Sequence, residues 1–154
     1  MLDGGCFCGA VRYRLKTAPM FVHCCHCTDC QKQTGGAFAI NALIESGNIE
    51  VLSGDTVAFE MKTESGRPHD IHRCAKCGVA LWSDYGRRGW LRFMRVSTLD
   101  TPHAIEPDVH IYTRSKVPWV RLPEGKPAFE EFYDPQKTWP PETGKRYLAA
   151  SRKK

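Results

Sequence analysis

Cysteines stand at positions 6, 8, 24, 25, 27, 30, 74 and 77 of this 154-residue chain, and their grouping points to metal chemistry. They fall as Cys6-Phe7-Cys8, as Cys24-Cys25-His26-Cys27-Thr28-Asp29-Cys30, and as Cys74-Ala75-Lys76-Cys77-Gly78. An even count also suits disulfides. In a chain that reads as cytosolic, thiols so closely spaced are better explained as ligands of a borderline-soft ion such as zinc. Successive side chains of a strand point to opposite faces, so Cys6 and Cys8 share a face and Phe7 turns away. By the same rule Cys25 and Cys27 share a face, with Cys24 and His26 on the other. Thr28-Asp29 turns the chain so that Cys30 can return beside Cys27. Cys74-x-x-Cys77-Gly78 has the form of a zinc-knuckle turn, in which two thiolates converge and the glycine lets the backbone come close.

Counting ligands separates the groups. The pair Cys6 and Cys8 with the pair Cys74 and Cys77 makes four thiolates, the closed tetrahedral set of a structural zinc. Cys25, Cys27 and Cys30 make three, the arrangement of a catalytic zinc with one position open to water or substrate. A thiolate-rich site of this kind accepts a substrate thiol well. Two zinc ions per chain are therefore expected. Cys24, His23 or His26 could close the second set instead, and of these His23 lies on the ligand face by alternation. Cys24 otherwise reads as a small buried hydrophobe, and His69 and His72 as ordinary strand or loop histidines.

The elements that must position these ligands read as strands. Val11, Tyr13 and Leu15 alternate with Arg12 and Arg14, and Val57, Phe59 and Met61 with Ala58, Glu60 and Lys62. Further short strands are expected at 20–25, 37–44, 49–52, 70–73, 91–97 and 109–112. Turn signals separate them at Glu45-Ser46-Gly47-Asn48, Ser53-Gly54-Asp55 and Glu64-Ser65-Gly66-Arg67-Pro68. Long helical periodicity is hard to find. The expected fold class is mostly β, as sheets or a distorted barrel. From Pro118 onward the chain is rich in proline, and residues 134–154 read as a Pro-rich, basic C-terminal tail behind a zinc-binding domain over 1–133.

Composition sets the outer bounds. Hydrophobic residues make up 42% and charged residues 25%, as in an ordinary globular domain. No stretch approaches the ~20 apolar residues of a membrane span. The start of the chain lacks the basic and apolar regions of a secretory signal, so a cytoplasmic protein is expected. The formal charge is +5, much of it in Gly144-Lys145-Arg146 and Ser151-Arg152-Lys153-Lys154, which read as a solvated tail. Arg87-Arg88 beside Trp90, with Arg92 and Arg95, is the only candidate for a nucleic-acid surface and a weak one. Modest positive charge equally suits a small anionic ligand such as a carboxylate-bearing thiol. A homo-oligomer is left open.

The order of these residues resembles the glutathione-dependent formaldehyde-activating enzyme family, whose members include centromere protein V. The resemblance runs from Gly4 to about Phe132. It is carried by Gly4-Gly5-Cys6-Phe7-Cys8-Gly9-Ala10-Val11-Arg12-Tyr13, by Cys25-His26-Cys27-Thr28-Asp29-Cys30-Gln31-Lys32 with Gly35 and Phe38, and by Arg73-Cys74-Ala75-Lys76-Cys77-Gly78. Softer matches follow at Leu99-Asp100, His110-Ile111-Tyr112 and Ser115-Lys116-Val117-Pro118-Trp119. Cys24, doubling the cysteine ahead of the triplet, and Ser97, in place of an expected glycine, depart from the pattern without removing a ligand.

The resemblance implies a β-tent fold with a structural zinc on Cys6, Cys8, Cys74 and Cys77. It implies a second zinc on Cys25, Cys27 and Cys30, where a glutathione–formaldehyde adduct is handled by a carbon–sulfur lyase related to S-(hydroxymethyl)glutathione synthase. In such an enzyme His23 or His26 could move a proton. His110, Lys116 and Trp119 could line the substrate pocket, with Lys116 meeting a carboxylate. Core packing for Trp119 and a solvated surface for Lys116 are the bland alternatives. The rival reading of the whole chain is a non-catalytic, zinc-stabilised binding module for protein or nucleic acid.

Overall fold

A computed structural model describes residues 1–63 and 65–152. Ten strands dominate it: β1 Leu2–Gly5, β2 Arg12–Leu15, β3 Phe21–Cys25, β4 Ala39–Glu45, β5 Ile49–Ser53, β6 Thr56–Met61, β7 His69–Cys74, β8 Ala80–Tyr85, β9 Leu91–Arg95 and β10 Val109–Ile111. Three α-helices accompany them: α1 Thr28–Thr34 between β3 and β4, and α2 Pro135–Thr138 and α3 Pro141–Ser151 after the last strand. The fold is mostly β, as the alternation predicts. β1, β2 and β5 form one sheet; the other runs β10-β3-β4-β9-β8-β7-β6. Every pairing is antiparallel except β10 with β3. No helix among the described residues is long and apolar enough to cross a membrane.

The period-two pattern explains why two sheets stack. On β2, Tyr13 and Leu15 are fully buried, while Arg12 and Arg14 turn outward to pair with Asp100 and Asp3. Opposite them, Val22, Ala42, Ile44, Leu81 and Met94 of the larger sheet complete the main core, and Trp82 sets its ring edge-on to Tyr13 at 5.8 Å. Burial of these side chains supplies the main driving force for the stack.

Because β3 and β4 are covered on both sides, the residues between those core positions face a second environment. Register places Phe21, Leu43, Phe93 and Ser83 side by side on that far face. The next row is His23, Asn41 and Arg95, and beyond it lie Cys25 and Ala39. This face is the floor of the site.

Two sequence expectations need correction. β6 is a strand as predicted, but it is an edge strand whose Val57 and Phe59 are about half exposed, so its alternation does not mark a buried face. The larger correction concerns the segment from Asp134 on, within which Gly144-Lys145-Arg146 and Ser151-Arg152-Lys153-Lys154 read as a solvated tail. It carries α2 and α3, and α3 is docked: Thr143 Oγ1 donates to the Met20 carbonyl at 3.1 Å, and Arg146 pairs with both Glu45 carboxylate oxygens at 2.7 and 2.6 Å. Tyr147 packs its ring against Trp90 and Trp139. The prolines that suggested a loop are helix starters, since a fixed φ and a missing N–H cost nothing at the first helical position. Glu64, Lys153 and Lys154, which belong to the turn and tail expectations, lie outside the described residues.

Candidate active site

Four thiols, two near the start of the chain and two near its middle, meet where β1 ends and β7 ends. Cys6 and Cys8 flank the turn after β1, and Cys74 and Cys77 flank the turn after β7; their sulfurs all lie within 4.8 Å of one another. Cys6 and Cys8 are 3.5 Å apart, and Cys8 and Cys74 3.9 Å. A tetrahedron of sulfurs around zinc at ~2.3 Å has edges of roughly 3.8 Å, so the set fits the ion. Backbone amides already point at the sulfurs: Val11 N–H donates to Cys6 at 3.2 Å, and Lys76 N–H to Cys74 at 3.4 Å. Donation from the Val79 and Cys8 amides draws the Cys77 thiol down to about 6, favouring the thiolate a metal needs. Gly78 makes the knuckle possible, with φ of +75° and its N–H bonded to the Cys74 carbonyl at 2.9 Å.

The second set is Cys25, at the end of β3, with Cys27 and Cys30, again within 4.8 Å. The turn expected at Thr28-Asp29 is the first turn of α1, capped by Cys27 Sγ, which accepts from Cys30 N–H at 3.3 Å. The loop carrying Cys27 is pinned at its centre. The His26 carbonyl accepts from Gln31 Nε2 at 2.8 Å and from Ser115 Oγ at 3.0 Å. Hydrogen bonds from the Cys25 and Cys30 thiols pull Cys27 down to about 2, and the same contact pushes Cys25 up. Three clustered sulfurs, one strongly biased to thiolate, are a donor set suited to zinc.

Only this second set opens into the main cavity, of about 710 Å³. That volume is in the range of small-molecule sites. Its floor is the sheet face with His23, Asn41 and Arg95, and its wall includes Phe132 and Trp139 from the C-terminal segment. Arg67, Arg88, Arg95 and Arg114 line it against two carboxylates, Asp29 and Glu131, so its charge favours an anionic ligand.

His23 lies in this cavity, as alternation predicts, and is fully buried beneath it. Its Nε2 is 2.5 Å from the Tyr133 hydroxyl, which also accepts from Trp139 Nε1 at 2.7 Å. Indole N–H can only donate, so the tyrosine proton is free to go to His23. Burial lowers His23 to about 4, keeping the ring neutral.

Cys24, which alternates with His23 and Cys25 on β3, and His26, just beyond that strand, are the other candidates to close the triplet, and they group instead with His110. His26 Nε2 is 3.5 Å from Cys24 Sγ and 3.0 Å from His110 Nδ1, and all three residues are buried. The substrate residues suggested by sequence are not brought together at the cavity. His110 is in this buried cluster, Lys116 Nζ donates to the carbonyls of Val117 and Val120 at 3.2 and 2.7 Å, and Trp119 is 73% exposed. None of the three lines the cavity.

Sequence reasoning missed Asn41 and Tyr133, and it read Arg95 only as part of a weak basic patch. Arg87 of that patch pairs with Asp70 and Glu60, and Arg92 with Asp84. The available signal was a polar residue inside an apolar run, His23 in β3 and Asn41 in β4; β9 carries both Arg92 and Arg95, and its sequence does not single out Arg95.

Fold and site together define a mostly-β protein with two cysteine clusters suited to metal, one beside a cavity for a small anionic molecule. The chain belongs to the glutathione-dependent formaldehyde-activating enzyme family, whose profile matches residues 1–115. A Halomonas elongata protein named "Putative glutathione-dependent formaldehyde-activating enzyme" is 30% identical over 127 residues, covering 79% of this chain and 81% of that one. A Rhodobacter sphaeroides protein of known crystal structure shares the fold, with a TM-score of 0.50 at 16% identity; the match covers 83% of this chain and 99% of that chain. Membership ties the chain to glutathione-related aldehyde chemistry.

Proposed function

We propose that this protein is a zinc-dependent carbon–sulfur lyase that interconverts a small thiol, glutathione or one like it, and an aldehyde with their adduct. In this reading the two sheets are the β-tent of the family. Cys6, Cys8, Cys74 and Cys77 hold a structural zinc, and Cys25, Cys27 and Cys30 hold the functional one. The observation that carries it is the asymmetry of the clusters: three thiols open into the cavity, while four lie elsewhere with no share in it.

Zinc on Cys25, Cys27 and Cys30 would supply a soft cationic site for the substrate sulfur. In the synthetic direction the thiol sulfur, as thiolate, donates an electron pair to the aldehyde carbon. A carbon–sulfur bond forms, the carbonyl π bond breaks, and the oxygen takes up a proton. Cleavage reverses each of these. His23 is the residue we assign to move that proton, a reading supported by its position in the cavity lining and its contact with the Tyr133 hydroxyl. Leu43, Phe93 and Phe132 give the cavity apolar surface against which the adduct would lie.

The test is exchange spectroscopy on 13C-formaldehyde and glutathione at equilibrium. Zinc-loaded protein is expected to speed exchange between free aldehyde and adduct, and Cys27→Ser to abolish that effect while keeping its fold. If exchange stays at the uncatalysed rate and glutathione does not bind, the binding-module reading replaces this one.

A further inference from the structure

Among the described residues Arg95 is the only lysine or arginine that is buried, at 4% exposure. No carboxylate pairs with it there. Nη1 donates to Asn41 Oδ1, and Nη2 donates to Gln33 Oε1 at 2.8 Å. Both acceptors are neutral amides, which orient a guanidinium without compensating its charge. Nε is buried and has no hydrogen-bond partner. A cation taken out of water with an N–H left unused is costly unless something else completes the site.

The surroundings say what would complete it. Arg95 lines the same cavity as Cys25, Cys27 and Cys30. It stands in the row His23–Asn41–Arg95, next to the row of Cys25 and Ala39. Rows on one face of a sheet are about 7 Å apart. Gln33 belongs to α1, the helix that also carries Cys30, so Arg95 is fixed relative to the thiol cluster from two sides. A residue serving only to brace α1 against β4 would have its donors saturated by protein, and this one does not.

We propose that Arg95 is an anion-binding residue of this cavity, its guanidinium, which no carboxylate pairs, taking a negatively charged oxygen of the thiol substrate. The proposal rests on the thiol–aldehyde reading of the site. Two oxygens of such a substrate have the required chemistry: a carboxylate of the thiol itself, or the adduct oxygen as it loses its proton. A fixed guanidinium fork suits both.

Zinc-loaded wild type, Arg95→Gln and Arg95→Lys separate the cases. Affinity for glutathione and for its carboxyl diester is measured by calorimetry, turnover by 13C exchange, and metal content alongside. Both variants are expected to keep their metal. If the oxygen is a carboxylate, Arg95→Gln weakens glutathione about 10- to 100-fold and leaves the diester unchanged. If it is the adduct oxygen, both thiols bind as in wild type and turnover falls by a similar factor. Arg95→Lys, retaining charge without the fork, is expected between the two, and carries the same comparison should Arg95→Gln fail to fold. Equal loss for both thiols, loss of metal from both variants, or no change at all overturns the proposal. A wild type that discriminates the diester through Arg95 yet shows no turnover would sink the lyase reading and leave the anion site standing. Normal turnover in both variants with unaltered binding does the reverse.

Discussion

The hydroxyl of Tyr133 lies 2.5 Å from Nε2 of His23, across 110 residues of sequence. It connects the floor of the cavity to the C-terminal segment that walls it. Tyr133 is itself buried, and its own ionisation is pushed up by that burial, so it stays a neutral donor. The contact makes the C-terminal segment part of the site.

Replacing Tyr133 by Phe removes one hydroxyl that serves two partners, His23 and the Trp139 indole N–H. The expected cost is about 1–3 kcal/mol, read from chemical denaturation. A Tyr133→Phe curve superimposable on wild type would show that neither hydrogen bond contributes.

The two thiol sets should differ in what they hold together. Cys6 and Cys8 sit at the start of the chain and Cys74 and Cys77 far along it, so a metal there links the three-stranded sheet to the larger one. Cys74→Ser is expected to unfold or severely destabilise the protein, since roughly 10 kcal/mol or more is coupled to a structural zinc. Cys27→Ser should leave most of the fold standing. Under mild chelation the three-thiol site should empty first, its ion being reachable from the cavity. Thermal melts in which Cys27→Ser is the worse variant, or release of both ions in one step, would contradict this division.

Docking of α3 should weaken in acid. Burial raises the Glu45 carboxyl, but the Arg146 guanidinium and the Asn48 amide outweigh it, holding Glu45 below its ordinary 4.5. The unfolded chain then binds the proton more readily than the folded one. The contribution is therefore complete above about pH 4.5 and drains away as pH falls through the folded value. With both partners partly exposed, at 32% and 20%, the pair contributes about 1 kcal/mol. Protection of the α3 amides, after correction for the intrinsic slowing of exchange in acid, should fall more on acidification in wild type than in Glu45→Gln, a comparison that cancels any acid effect on the thiol sites. An equal fall in both would refute the assignment.

Gly4→Ala should destabilise although Gly4 has an ordinary strand conformation. A Cβ there would lie 2.6 Å from the Thr98 carbonyl oxygen and 2.5 Å from Tyr13 Cζ. Tyr13 is fully buried and bonded to Thr98 Oγ1 at 2.7 Å, so it cannot give way without loosening the core. A loss of about 1–3 kcal/mol is expected from such overpacking. Gly9→Ala is the contrast: open space surrounds it, and only its φ of +74° opposes the change. Equal or greater damage from Gly9→Ala would locate the strain in the turn instead.

Local rules were enough for several features, each of which depends only on near neighbours. Alternation put His23 on the face of Cys25 and sent Cys24 to the other side, because a strand's side-chain period is two whatever surrounds it; Cys6 and Cys8, expected on one strand, meet instead at the turn after β1. Ligand counting divided seven cysteines into four and three, since tetrahedral zinc sets that number. The same local signals misread α1, a seven-residue helix that the Thr28-Asp29 turn begins, and α3, whose lysines and arginines look solvated until Arg146 finds Glu45.

Tertiary structure alone decided which polar residues share the cavity. His23, Asn41 and Arg95 become neighbours only through the pairing of β3 with β4 and β4 with β9, and register between strands is invisible within any one of them. It also left His110, Lys116 and Trp119 off the cavity lining, with His110 in register beside Cys24. Cysteine spacing is written along the chain, whereas the environment of a buried guanidinium depends on which strands lie beside it.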